Sequence, residues 1–193
     1  MPNATPIKDK RAAILDAAMS LIADQGFHAA PMSLIAQRAG VAAGTIYHYF
    51  TSKEDMIIAL YARSKARMGE AMLAQDDASK PYKQRFHSFW LNLFVFFTGN
   101  PADFMFLQQY SNSPFIAQHT REENEVFYRP VVEFLAEGTR IGVLRDMHIE
   151  LLTAIVYGTV VSAAQLHLSC TLRVEGQHLL QAIAAAWDAV QDT

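Results

Sequence analysis

Residues 32–50 read MSLIAQRAGVAAGTIYHYF, and this stretch decides the fold. Its spacing predicts two short helices joined by a tight turn, one from about Met32 to Ala39 and one from Ala43 to about Tyr49. Pro31 stands at the entry of the first, where its fixed φ is tolerated, and Gly40 permits the turn. Ala36 is small where the helices approach, and Leu34, Ile35, Val41 and Ile46 supply a shared apolar side. A helix-turn-helix of this kind lays its second helix in the major groove of DNA, so the start and outer face of that helix meet bases and phosphates. Here those positions are Ala42, Ala43, Gly44, Thr45, Tyr47, His48 and Tyr49. Tyr49 and Phe50 also have a competing reading as inward-packed rings, the stronger one for Phe50.

Outward from this motif the chain reads as helix throughout. Ile14, Leu15, Ala18, Leu21 and Ile22 recur at helical spacing over residues 8–25, with Gly26 as the stop. Ser52 caps a fourth helix that runs to about Leu73, with Glu54 and Asp55 in its first turn. The division expected is a helix-turn-helix domain over 1–52 and a rear domain over 53–193, linked by this fourth helix, about 52–74; the family resemblance given below implies DNA binding for the first and ligand binding and dimerisation for the second. The polar run Gln75 to Pro81 is the strongest break, and Asp76 and Asp77 within it read as solvated surface. Further helical patterns cover about 82–98, 101–111, 118–140, 148–169 and 175–191.

Composition agrees with an all-α fold. The 193 residues suffice for one domain or two small ones, 51% are hydrophobic, and nine Gly and seven Pro are few for a turn-rich β protein. Residues 1–67 carry eight Lys or Arg against five acids, while the rest carry eight against fourteen, so only the front suits a polyanion. The single cysteine, Cys170, excludes an internal disulfide, and a cytoplasmic protein without a leader is expected. Leu151–Leu172 is uncharged over 22 residues, but Thr153, Thr159, Ser162, Gln165 and His167 scatter polarity through it, which favours burial between protein partners over a membrane span.

The tract AGVAAGTIYHYFTSKEDMI, residues 39–57, resembles the DNA-binding signature of the tetracycline-repressor (TetR) family of bacterial transcriptional regulators, and residues 8–60 fit that family in order and spacing. The resemblance implies base and phosphate contacts from Ala42, Ala43, Gly44 and Thr45, contacts to phosphate or thymine from Tyr47 and His48, and a phosphate clamp at Lys53. Three positions depart from the pattern. Pro31 stands where a capping Ser or Thr is usual, and Ala42-Ala43 replaces a Ser followed by Lys or Arg. Operator affinity then leans on Thr45, Tyr47, His48, Lys53 and the N-terminal Lys8, Lys10 and Arg11. The resemblance also implies a homodimer on a pseudo-palindromic double-stranded operator, with repression relieved by a small ligand.

The rear of the chain supports that architecture on its own terms. Ala154, Gly158 and Ser162 recur every four residues, and Leu166, Leu179, Ile183 and Trp187 give ridges beside them, which marks a dimer interface. Aromatic side chains crowd residues 86–110, and an apolar pocket is expected among Phe86, Trp90, Phe94, Phe104, Gln108, Tyr110, Tyr128 and Tyr157. No buried-looking cation stands beside these rings, so the expected hydrophobic ligand is neutral or cationic, although Arg121 and Arg129 argue against that. No cofactor or metal is expected. His167 and Cys170, one turn apart, are too few for a tetrahedral site, and a metal- or haem-responsive regulator stays the alternative. Nucleophile elbows, zinc-protease motifs and phosphate-binding loops are missing from the sequence, which argues against an enzyme and leaves a helical protein-interaction bundle as the other rival.

Overall fold

The computed structural model describes residues 7–27, 29–111 and 129–192, and among these the chain is helical with no strand longer than an isolated bridge. The helices are α1 (Ile7–Gln25), α2 (Met32–Arg38), α3 (Ala43–Ile46), α4 (Lys53–Met72), α5 (Tyr82–Gly99), α6 (Pro101–Ser111), α7 (described over 129–140), α8 (Ile149–Leu168) and α9 (Gly176–Val190). The expected helix over 118–140 is described only in its final part, and Tyr128 and Arg121 lie outside the described residues.

Two compact units divide the helices. One takes the chain up to Ser64 together with the segment beginning at Ala102, and the other takes Lys65–Pro101 with the described residues from 129 onward. α4 therefore contributes to both. Its side chains at Met56, Leu60, Ser64, Met68 and Met72 repeat every fourth residue and are all buried, which gives the helix one continuous inward stripe.

In the first unit, α1 buries Ile14, Leu15, Ala18, Leu21 and Ile22. α2 and α3 are too short to be stable alone and hold their places through Ile35, Ala36 and Ile46, each at most 1% exposed. The turn between them closes on Gly40, whose φ of +68° is the left-handed conformation that a helix C-terminus needs here. Gly40 N–H donates to Gln37 O at 3.1 Å and Val41 N–H to Ala36 O at 3.0 Å, so the last carbonyls of α2 are satisfied within the turn. α3 stops at Ile46, sooner than the pattern suggests. Beyond it the chain tightens into three-residue turns, with His48 N–H on Thr45 O and Tyr49 N–H on Ile46 O, both at 3.1 Å. Ser52 caps α4 as its sequence implies, its Oγ accepting from Asp55 N–H at 3.0 Å, and Asp55 Oδ2 reaches back to Thr51 N–H at 2.8 Å.

In the second unit, α5 lies against α8 and α9 and presents Phe86, Phe89, Trp90, Leu93, Phe94 and Phe97, all buried. Trp90 Nε1 donates to Thr159 Oγ1 of α8 at 2.9 Å, and Phe86 meets Trp187 of α9 edge-on at 5.2 Å. Gly138 of α7 is a close-approach position, since a Cβ there would stand 2.5 Å from the Tyr82 ring. The space it leaves lets Tyr82 OH donate to Phe134 O at 2.8 Å. Residues after α7 are tied to the end of α9 by a bridge between Leu144 and Gln191.

Arg85 is buried on α5 and holds two carboxylates from elsewhere in the chain. It donates to Asp76 at 2.9 and 2.7 Å and to Glu137 at 2.7 and 3.1 Å, while its guanidinium lies over Tyr82 and Phe134. Asp76 is thus a structural partner rather than solvated surface, and Arg85 holds its carboxyl below the usual range. A depressed carboxylate pKa stabilises the fold above the unfolded value, near 3.9, and that contribution is lost as pH falls through the folded value. We expect Arg85→Met to lower stability by about 2 kcal/mol at neutral pH. Stability measured by urea unfolding from pH 3 to pH 7 should rise less steeply in the variant than in the wild type, and equal slopes would contradict the role given to this cluster.

Candidate nucleic-acid interface

A four-residue helix presents few side chains, so which of them face outward is set by the one that does not. Ile46 is fully buried and Phe50 is 2% exposed. With these two anchored inward, Ala42, Ala43, Gly44, Tyr47 and His48 are exposed, while Thr45 and Tyr49 are half-buried. Tyr47 is 57% exposed, an unusual position for a large ring beside a fully buried Ile46. Arg11 on α1 is exposed with its guanidinium 5.3 Å from the centre of the Phe50 ring. Lys10 is half-buried, and Lys8 carries no described side chain.

Lys53 opens α4 at the edge of this array. Its ammonium donates to the backbone carbonyl of Phe27, just beyond the C-terminus of α1, and burial pushes its pKa down while Glu54 opposes the shift. Pro31 makes no side-chain cap for α2; its carbonyl instead accepts from Leu34 and Ile35 N–H at 3.0 and 3.1 Å. Ala42 likewise caps α3 with no side-chain bond. The exposed surface of this segment is therefore small side chains, two aromatic rings that carry hydrogen-bonding groups, and flanking cations. That combination suits close approach to a phosphate backbone and a groove.

The expected ligand residues fall in both units. Phe86, Trp90 and Phe94 are buried in the second and packed face to face or edge-on, with Trp90 stacked on Phe94 at 5.7 Å. Phe104, Gln108 and Tyr110 lie on α6 in the first. The second unit has a cavity of about 250 Å³ between α7 and α8, lined by Val132, Ile149, Glu150, Thr153, Ala154 and Tyr157. Of the expected pocket residues, Tyr157 lines it. The sequence reading missed Lys65, which lies over the Tyr157 ring at 5.6 Å and whose pKa burial lowers to about 8. A half-buried cation does stand beside the aromatic residues, so the argument for a neutral or cationic ligand loses its premise. A lysine on a long helix pattern gives no sign of burial until its neighbours are known.

On the expected dimer face, Ala154, Gly158, Ser162 and Leu166 are exposed, Leu179 is half-buried, and Ile183 and Trp187 are buried within the protomer. Leu151 and Leu180 are exposed at 55% and 70%. α8 is long and apolar enough to cross a membrane, with 28% of its most apolar window buried. His167 packs edge-on against Phe94 at 5.6 Å, and no group of three or more potential metal ligands occurs among the described residues.

Two family descriptions match the chain. "Bacterial regulatory proteins, tetR family" matches residues 14–60, and "Tetracyclin repressor-like, C-terminal domain" matches residues 81–191. The fatty acid metabolism regulator protein of Bacillus subtilis is 51% identical over 57 residues, which cover 30% of this chain and 28% of that protein. An HTH-type transcriptional regulator of Haemophilus influenzae is 34% identical over 102 residues, 52% of this chain and 54% of its own. This chain thus spans about half or less of the length of these relatives. A solved structure of a TetR-family protein from Vibrio parahaemolyticus is 30% identical, with a TM-score of 0.84 over 95% of this chain and 100% of its own.

Proposed function

Because the chain belongs to the tetR family of bacterial regulatory proteins, we propose that it represses transcription as a homodimer on a pseudo-palindromic operator and releases DNA when a small hydrophobic molecule binds its second unit. The family is one of regulators, not of enzymes, which agrees with the motifs missing from the sequence. The observation that carries the DNA-binding part is the exposed array around α3. Ile46 and Phe50 are buried, Tyr47 and His48 are exposed, and the same unit carries the cations Arg11, over the Phe50 ring, and Lys53, at the start of α4. Tyr47, Lys53 and Arg11 fit phosphate contacts that fix register. Thr45 and His48, with the small Ala42, Ala43 and Gly44 allowing close approach, fit base contacts.

The dimer reading is supported by the outer faces of α8 and α9. Ala154, Gly158 and Ser162 form a smooth strip on α8, Ala184 and Ala185 are exposed on α9, and Leu151, Leu166 and Leu180 flank them. Small residues let helix backbones approach, and apolar ridges of this extent favour burial against a second copy. The α9 part of the interface is assigned to Leu180 and Ala184, because Ile183 and Trp187 already pack inside the protomer. The ligand reading rests on the cavity between α7 and α8, mainly apolar with Glu150, Thr153 and Tyr157 as polar groups, a lining that suits a small hydrophobic molecule. One relative is named for fatty acid metabolism, which points to acyl compounds as the first to try.

DNA upstream of the gene should give a retarded band in a gel shift. Affinity should fall by about a thousandfold between about 50 and 200 mM salt if about six phosphates are met. Leu180→Glu should sediment as a folded monomer at micromolar concentration and bind that DNA more weakly; a wild-type monomer, or a variant that remains dimeric, would remove the interface. For the ligand, an acyl compound that raises the melting temperature of the wild type should fail to do so with Val132→Trp, which fills the cavity. It should also weaken DNA binding by about 5- to 150-fold. A compound that binds both proteins equally well would place the ligand elsewhere.

A further inference from the structure

The first unit contains a contact that nothing in the DNA-binding motif requires. Phe27, one residue past Gly26 at the end of α1, is buried by α6. Its ring meets Phe106 edge-on at 5.7 Å and Tyr110 at 6.5 Å, and Phe106 and Tyr110 lie 6.0 Å apart. Tyr110 in turn stacks on Tyr61 of α4 with centroids 4.1 Å apart and planes inclined by 21°. Beside Phe27, the Gly26 backbone faces Gln109 closely enough that a Cβ would stand 3.8 Å from its Oε1. α6 thus grips the end of α1 with two rings, and a third ties the same cluster to α4.

The backbone of Phe27 reaches Lys53, one of the residues proposed above to contact DNA. Its carbonyl accepts the hydrogen bond from the Lys53 ammonium. An ammonium has three N–H donors, and this bond uses one, so two stay available for a phosphate. A lysine side chain free in solvent loses much of its rotamer freedom when it is fixed on a phosphate, whereas Lys53 is ordered beforehand. Where the ammonium stands is then set by where the Phe27 carbonyl stands, and that depends on the rings of α6.

We propose that Phe27 is a positioning residue for operator binding, whose carbonyl fixes the Lys53 ammonium at phosphate height and whose ring makes that position answer to α6. This rests on the reading above in which Lys53 contacts an operator phosphate. Under it, α6 governs one specific charge of the interface through backbone rather than through the tilt of α4 alone. A shift of Phe106 and Tyr110 carries the Phe27 carbonyl with it, and Lys53 loses its support without any change in α3.

The test is a double-mutant cycle on the full chain. It uses fluorescence anisotropy with a duplex recovered by gel shift from the gene's upstream DNA. The proteins are wild type, Lys53→Ala, Phe106→Leu and the double variant, each followed over a salt series and checked by thermal unfolding. Lys53→Ala should weaken binding by about tenfold and flatten the salt dependence by about one phosphate. Phe106→Leu should weaken binding several-fold with the same flattening, and the double variant should bind no worse than Lys53→Ala alone. Tyr61→Leu, which removes the stack on Tyr110 from the α4 side, is measured in parallel in case Phe106→Leu does not fold, and it should behave as Phe106→Leu does. If Phe106→Leu and Tyr61→Leu lower the melting temperature but keep the wild-type salt slope, and their effects add to that of Lys53→Ala, α6 only packs the unit and the positioning role falls while the Lys53 contact stands. If Lys53→Ala changes neither affinity nor slope, the phosphate contact itself is absent and the positioning role falls with it.

Discussion

The burial of Ile46 is the constraint on which the surface proposed to face DNA depends. A helix of four residues has no stability of its own, since the cost of its nucleus exceeds what its hydrogen bonds return. α3 exists because Ile46 and Phe50 are buried within the first unit, and because Gly40 turns the chain so that Val41 closes α2. Orientation follows from the same fact. With Ile46 pointing inward, Tyr47 and His48 cannot, and a surface of small and hydrogen-bonding side chains is left outside. Side-chain caps are missing at Pro31 and Ala42, so tertiary packing carries the load that capping shares in many short helices.

Aromatic side chains serve separate ends in the two units. In the second, rings from α5 fill the space against α8 and α9, and the polar handle of Trp90 is satisfied on Thr159. Arg85, buried beside the stacked rings of Tyr82 and Phe134, adds a charged tie that joins the segment after α4 to α5 and α7. In the first, Phe27, Phe106, Tyr110 and Tyr61 form a cluster at the end of α1 whose backbone reaches Lys53. The regulator thus has the cavity proposed for its ligand in one unit and, in the other, an aromatic cluster tied to the lysine proposed to meet phosphate, with α4 contributing residues to both.

Local signals made most of the helices legible. Pro31, Gly40, Ser52, Pro81 and Pro101 punctuate the chain, and each falls at or next to a helix boundary. The side of the second helix that faces outward was also readable, because Ile46 is its apolar member. What escaped the sequence was long-range pairing. Arg85 with Glu137, and Phe27 with Lys53 and Phe106, join residues distant in the chain, and no periodicity records such a meeting. The length of α3 escaped for another reason: helical spacing continues through Tyr49, while the backbone tightens after Ile46 to bring Phe50 inward. On α9 the apolar residues recur on more than one side, so the pattern could not decide between Ile183 with Trp187 and Leu180 with Ala184 as the outward face.

Hydrogen–deuterium exchange of the full chain, with and without an operator duplex, tests the central claim most directly, because it reports every amide in one experiment. In the free protein the amides of Tyr49 and Phe50, bonded to the Ile46 carbonyl, should exchange slowly despite the shortness of α3. On adding DNA, protection should rise over residues 42–53 and at the start of α1, with α9 unchanged. Protection gained mainly in α8 and α9, with residues 42–53 exchanging as before, would contradict a DNA interface built on Ile46.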